Sequence, residues 1–117
     1  MDRHVVARTE LGEISITSGA LAQLVGYTAA ECYGVVGQAS SGRLRRLLRR
    51  ENLTKGIGIR AGNDGLVIDL HVVVEYGLNL AEVAATVRSR VAYEVERQAG
   101  LPVAAVEVHV DDVRGSA

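Results

Sequence analysis

The spacing of apolar residues along the chain predicts four β-strands. Residues 66–76 are apolar at every second position, which is the period of a strand with one buried face. Shorter alternations around Ile14 and Ile57, and a last one over residues 103–110, predict the other three. The predicted inward-facing residues of the two long strands are Leu66, Ile68, Leu70, Val72, Val74 and Tyr76, and Ala104, Val106, Val108 and Val110; the outward-facing ones are Val67, Asp69, His71, Val73 and Glu75, and Val103, Ala105, Glu107 and His109.

Two stretches with a helical period separate these strands. Thr17 and Ser18 offer N-cap oxygens to the first helix. Asn79 caps the second, Glu82 completes a capping box, and Gly100 supplies the left-handed residue that ends the helix. The predicted core faces are Leu21, Leu24, Val25, Thr28 and Cys32 in the first helix, and Leu80, Val83, Ala84, Val87, Val91 and Val95 in the second.

The order of elements indicates an α+β fold. A short arginine-rich helix is predicted over residues 43–50, and the Gly-Asn-Asp-Gly sequence at residues 62–65 predicts a tight hairpin. The order is therefore β-α-(short basic helix)-β-β-α-β. We expect a two-layer sandwich with the two main helices on one face of a mostly antiparallel sheet, and a split βαβ topology.

The length of 117 residues predicts one domain over residues 1–117. Val5 and Val6 either begin the first strand or lie on an earlier edge strand. We expect residues 1–9 and 114–117 to fray, with the segment from Asp111 to Ala117 forming a tail.

Composition restricts the class of protein. The hydrophobic fraction of 48% excludes a wholly disordered chain, and the single cysteine forbids an internal disulfide and fits a reducing cytosol. No apolar run is long enough to span a bilayer, and the residues after Met1 do not form a secretory signal. The sequence therefore predicts a cytoplasmic protein.

A cluster of arginines interrupts an otherwise acidic chain. Five of the 13 basic residues fall within eight positions, so the rest of the chain contains eight basic and 14 acidic residues. The cluster consists of Arg43, Arg45, Arg46, Arg49 and Arg50. A solvated helix face is one interpretation, but like charges at helical spacing repel each other. The alternative is an anionic partner, which is an acidic protein surface, anionic lipid or RNA; the lack of Trp and Phe disfavours sequence-specific reading of RNA.

Several segments, taken in their order along the chain, resemble the alkaline-shock protein family of Gram-positive bacteria, which is also described as the envelope-stress-response family. They are LGEISI at residues 11–16, ECYGVVG at 31–37, LLRRENLTKGI at 47–57, IDLHVVVEYGLNL at 68–80, GLPV at 100–103 and VEVHV at 106–110. The resemblance implies a small non-enzymatic cytoplasmic protein without catalytic residues. For some members it also implies self-association, and for some it implies attachment to the inner membrane face through a separate membrane-anchored partner.

The residues themselves offer few reactive groups. If the two long strands were neighbours, Asp69, His71 and Glu75 could converge with Glu107 and His109 on a metal ion. A solvated polar sheet face explains the same pattern, and we favour that interpretation and predict no metal and no cofactor. Cys32 is expected to pack as a small apolar residue, and no nucleophile or phosphate-binding motif occurs in the sequence, so we predict no enzyme.

Tyr27 and Tyr93 are predicted on the polar sides of the two main helices, where tyrosine is typical of interfaces. A face of small residues, Ala22, Gly26, Ala29 and Ala30, would permit close approach of another helix. The favoured function is a non-enzymatic scaffold or adaptor of the envelope stress response, which forms homo-oligomers and docks on a membrane-anchored partner without a small-molecule substrate. The alternative is a weak module for anionic lipid or nucleic acid that uses residues 43–50.

Overall fold

The computed structural model describes residues 4–36 and 56–115. The elements are β1 His4–Thr9, β2 Gly12–Thr17, α1 Ser18–Glu31, β3 Ile57–Gly62, β4 Gly65–Glu75, α2 Leu80–Ala99 and β5 Val103–Arg114. The short basic helix predicted over residues 43–50 lies outside the described residues.

The strands of the described chain form two sheets. β1 and β2 make an antiparallel hairpin, and β3, β4 and β5 form a three-stranded sheet in that order. β3 pairs with β4 antiparallel, whereas β4 pairs with β5 parallel. The prediction of an α+β fold with two main helices and mostly antiparallel strands is confirmed.

Three details of the topology differ from the prediction. Residues 1–9 were expected to fray, but His4–Thr9 pairs with β2 as a strand of its own, so the alternative that Val5 and Val6 lie on an earlier strand is the correct one. The hairpin β1–β2 forms a sheet separate from the other three strands. β4 and β5 are hydrogen-bonded neighbours, so the βαβ unit is not split by an intervening strand. Strand order depends on contacts between distant residues, which local periodicity does not encode.

The core lies between the two helices and the sheet. It contains the alternate residues of β4 and one face of each helix, as the periodicities predict, whereas Val73, predicted to face outward, is buried as well. Its fully buried larger side chains are Leu21, Val25, Ile68, Leu70, Val72, Val74, Val87, Val91 and Val95. β4 supplies four of these residues and lies between two paired strands, so it is the centre of the fold.

The helix ends follow the predicted caps. The Thr17 hydroxyl accepts a hydrogen bond from the Ala20 N–H at 3.0 Å, and the Asn79 side-chain oxygen accepts one from the Glu82 N–H at 3.0 Å. Gly100 adopts the left-handed conformation with φ of 72°. The three predicted caps are therefore confirmed. They could be predicted from the sequence because a helix cap depends only on residues close along the chain.

The phase of β5 differs from the prediction at its beginning. Leu66 pairs with Val103 and Val67 with Ala105, so Ala104 is an extra residue on β5. Val103 consequently packs against the core, and Ala104, predicted inward, is exposed. From Val106 onward the predicted phase is correct.

Three assignments at the ends of strands and helices are also corrected. β5 continues to Arg114, although a tail was predicted from Asp111 onward, because the last residues of β5 pair with the end of β4. Tyr76, predicted inward, follows the end of β4 and is exposed. Leu80 begins α2 and is exposed as well, since it precedes the first helical turn that reaches the sheet.

Candidate functional site

The outer face of the sheet carries a cluster of ionisable side chains where β4 and β5 run side by side. The parallel register places Asp69 opposite Glu107 and His71 opposite His109. Residues two apart on a strand share a face, so all four lie on the same side of the sheet. Together with Asp111 they are called the polar cluster below.

The polar cluster is held together by short contacts. Nδ1 of His71 lies 2.9 Å from Oδ2 of Asp111, and Nε2 of His109 lies 3.6 Å from Oδ1 of Asp69. The two imidazole rings stack with their centroids 4.5 Å apart and their planes 18° from parallel. The rings and carboxylates therefore fix each other's orientation although they are only partly buried.

The pKa of the Asp69 carboxyl is lowered by its neighbours. A hydrogen bond with Glu107 lowers the pKa of Asp69 most, and a hydrogen bond with His109 lowers that pKa further, against the opposing effect of desolvation. Asp69 therefore remains ionised at lower pH than a carboxyl without these partners.

One part of the cluster has ligand atoms close enough for a single cation. Asp69, Glu107 and His109 each offer an oxygen or nitrogen atom, and these atoms lie within 4.8 Å of one another. Of the five residues that the sequence analysis considered as possible metal ligands, these three therefore lie close together. His71 lies beside this group and is engaged with Asp111, whereas Glu75 pairs in register with Arg114 at the far end of the strand.

Sequence reasoning missed Asp111 as a member of the cluster. It was assigned to the tail, but β5 continues through it and has a second register shift between the pairs of Val72 and Val73. The bulge makes Asp111 an extra residue on β5 and brings its carboxylate to His71. Only the partner strand could have revealed this contact.

The helical layer presents the second candidate surface. Tyr27 on α1 and Tyr93 on α2 are both exposed, as predicted. An ion pair joins the two helices between them, with Nη2 of Arg90 3.7 Å from Oε1 of Glu31. Tyr27 lies one helical turn before Glu31 on α1, and Tyr93 lies one turn after Arg90 on α2, so each tyrosine is one turn from this ion pair along its own helix. The exposed side of α1 and α2 that carries them is called the helical face below.

The face of small residues is not available to a partner. Ala22, Gly26 and Ala29 are buried, and Ala30 is half-buried. The expectation that this face accepts another molecule's helix is therefore wrong, because α1 packs against α2 and the sheet of its own chain. Any interface on the helical layer has to use the opposite, exposed side.

Cys32 is buried at the end of α1, and its thiol donates to the carbonyl of Thr28 at 3.4 Å. Burial raises the pKa of the Cys32 thiol, and the nearby Arg90 offsets this only partly. The thiol therefore belongs to the core, in agreement with its predicted packing role.

The arginine cluster of Arg43, Arg45, Arg46, Arg49 and Arg50 lies outside the described residues. Neither of the helices in the described part combines the length and hydropathy needed to cross a lipid bilayer.

The fold and these two surfaces define an α+β protein with a partly exposed polar cluster on its sheet. Comparison with protein families gives a match over residues 6–115 to the ASP23 family, described as having a cell envelope-related function. The chain belongs to this family.

Relatives cover nearly the whole chain. The uncharacterised protein YloU of Bacillus subtilis is 36% identical over 111 residues, which is 92% of each chain. The uncharacterised protein Spy1614 of Streptococcus pyogenes is 33% identical over 114 residues, or 94% of each chain. A second Bacillus subtilis protein, the uncharacterised YqhY, is 27% identical over 87% of this chain and 77% of its own length. No solved structure gave a significant match.

Proposed function

We propose that this protein is a non-enzymatic scaffold or adaptor of the envelope stress response type. It acts in the cytoplasm by self-association and by docking on a membrane-anchored partner, which holds it at the inner membrane face. The family's cell envelope-related function supports this class of role.

The observation that carries the proposal is the exposure of every aromatic side chain. The chain has four tyrosines and neither Trp nor Phe. Their exposed fractions are 46% for Tyr27, 77% for Tyr33, 75% for Tyr76 and 61% for Tyr93. Aromatic side chains are enriched at protein interfaces because they bury a large area at a small cost in conformational entropy.

The helical face is the better of the exposed regions for pairing with a second copy. α2 contains three arginines and three glutamates, so it has no net charge. Arg90 is already paired with Glu31, and Arg97 with Glu94 at 2.7 Å. Two copies can therefore approach through this face without strong repulsion between like charges.

Sedimentation velocity over a range of protein concentrations tests the self-association. We expect the sedimentation coefficient of the wild type to rise with concentration. Tyr27→Ala and Tyr93→Ala should each shift this rise to higher concentration while leaving the far-UV circular dichroism spectrum unchanged, because both side chains are exposed.

Tyr76→Ala is the matched control, since it removes a tyrosine that is more exposed than either of these and that lies outside the helical face, just after the end of β4. It should sediment as the wild type does. A wild type that stays monomeric at all concentrations, or the same profile in both helical-face variants as in the wild type, would contradict the proposal.

Docking is tested by affinity capture from native lysate with the membrane fraction retained. We expect a membrane protein to be captured by the wild type and reduced in the Tyr27→Ala/Tyr93→Ala double variant. Equal capture by both proteins would count against docking through the helical face.

A further inference from the structure

We propose that Asp69, Glu107 and His109 form an exchangeable binding site for a divalent transition-metal cation of the zinc class. The site lies on the outer face of the sheet, away from the helical face. It goes beyond the proposed scaffold function and does not depend on it.

The distances suit a metal ion with short bonds. Zn²⁺ bound by imidazole and carboxylate has bonds of about 2.1 Å, so tetrahedral ligand atoms lie about 3.4 Å apart. Nε2 of His109 and Oδ1 of Asp69 are already 3.6 Å apart, and all three ligand atoms are within 4.8 Å of one another. Small side-chain rotations close the remaining distance, and the partial exposure of Asp69 and His109 leaves room for them.

The charges of the three residues also favour a cation. Asp69 and Glu107 are directly opposite in the register of two neighbouring strands, so their charges repel each other when both carboxyls are ionised. His109 is the basic side chain within the group of three, and Arg60 on β3 adds a positive charge that acts on Asp69. A divalent ion bound by both carboxylates replaces their mutual repulsion by attraction. One nitrogen and two oxygen ligands fit zinc and related ions better than Mg²⁺ or Ca²⁺, which prefer oxygen alone.

The rest of the polar cluster acts as a support for His109. The ring of His71 stacks on the ring of His109, and Asp111 holds His71 through contacts of 2.9 and 3.0 Å. This arrangement keeps the imidazole of His109 beside Asp69 before a metal arrives. His71 and Asp111 are therefore positioning residues of the kind that orient metal-binding histidines.

Three protein ligands leave a fourth position for water or for a group from another molecule. The side chains of Asp69 and His109 are each partly exposed, so the ion can exchange with solvent. The inferred site is thus a reversible one rather than a permanent structural zinc centre.

Isothermal titration of the tag-free chain of 117 residues with ZnCl₂ near neutral pH tests this inference. We expect saturable binding of one equivalent. Asp69→Asn, Glu107→Gln and His109→Gln should each weaken this binding at least about tenfold. Lowering the pH by about two units should weaken it as well, because protons compete for the same ligand atoms.

Two matched controls separate the site from general charge effects. Glu75→Gln removes a carboxylate from the same face of β4, about 20 Å along the strand from Asp69, and His4→Gln removes a histidine from the other sheet. Both should bind Zn²⁺ as the wild type does. Circular dichroism spectra that match the wild type show that each variant is folded.

No saturable binding by the wild type would overturn the inference. So would binding that persists unchanged in all three ligand variants, which would place the ion elsewhere on the chain. A downfield or upfield shift of the His109 ring resonances on titration, with smaller changes at His4, supports the assignment independently of the binding constants.

Discussion

Leu70 and Leu80 show how far a residue's role can be read from its neighbours. Both fall on a predicted apolar face, one of a strand and the other of a helix. Leu70 is 0% exposed in the centre of β4, whereas Leu80 is 39% exposed at the first position of α2. The same side chain therefore contributes very different amounts of buried apolar area.

Replacing Leu70 by alanine is expected to lower the free energy of unfolding by about 2–5 kcal/mol, because it leaves a cavity in a close-packed core. The control Leu80→Ala should cost less than about 1 kcal/mol. Urea denaturation followed by circular dichroism measures both values. Equal losses in the two variants would mean that Leu80 is part of the core.

The sequence predicted part of the polar cluster but not its pairing. Alternation along each strand correctly assigned Asp69, His71, Glu107 and His109 to outer faces. It could not tell that Asp69 lies opposite Glu107, because strand order and register depend on pairing between residues almost forty positions apart. Asp111 was missed for the same reason.

At the scale of elements, the turn between β3 and β4 was predicted from its Asn-Asp-Gly sequence and is confirmed. Gly65 has a second role that no local pattern indicates. Its φ is 137°, and a Cβ atom there would lie 2.6 Å from the carbonyl oxygen of Pro102. The Leu66 N–H donates to this oxygen at 2.9 Å, so Gly65 permits the close approach of the chain that leads into β5.

Gly65→Ala is therefore expected to destabilise the protein more than Gly100→Ala. Both positions have positive φ, but a Cβ at Gly100 meets nothing within 4 Å, so only conformational strain of about 1–2 kcal/mol applies there. At Gly65 the backbone of Pro102 must also move. Thermal unfolding of the two variants gives the comparison, and a larger loss for Gly100→Ala would refute the steric role of Gly65.

At the scale of the whole molecule, the described residues extend over 55 × 26 × 21 Å. The helical face and the polar cluster lie on opposite layers, so a partner on one does not cover the other. The arginine cluster, which lies outside the described residues, is a third candidate to test.

The alternative function, weak binding of anionic lipid or nucleic acid, makes a distinct prediction. Five basic residues near a lipid surface contribute up to about 5 kcal/mol, which corresponds to sub-millimolar binding. For nucleic acid, five phosphate contacts give a log–log salt slope of about −4. Arg45→Gln/Arg46→Gln/Arg49→Gln should reduce that slope by about 2 to 3 and abolish most binding to anionic vesicles.

The control triple variant Arg8→Gln/Arg60→Gln/Arg114→Gln changes the net charge equally at strand positions outside the helical face. If the scaffold function is correct, both triple variants keep the concentration-dependent sedimentation of the wild type. Loss of self-association in the Arg45/Arg46/Arg49 variant alone would transfer the assembly surface from the helical face to the arginine cluster.

The sequence by itself determined the features that arise between residues close along the chain. These are the periods of the strands and helices, the caps at Thr17, Asn79 and Gly100, the turn before β4, and the outward placement of Tyr27 and Tyr93. Each depends on hydrogen bonds or side-chain spacing within a few residues, so the pattern contains the necessary information.

Only the tertiary structure decided which elements are neighbours. It paired β4 with β5 in parallel, shifted the phase of β5 at Ala104, buried the small residues of α1 within the chain and brought Asp69, Glu107 and His109 together. These outcomes depend on contacts between segments far apart along the chain. Such contacts are selected by the packing of the whole core and not by any local pattern.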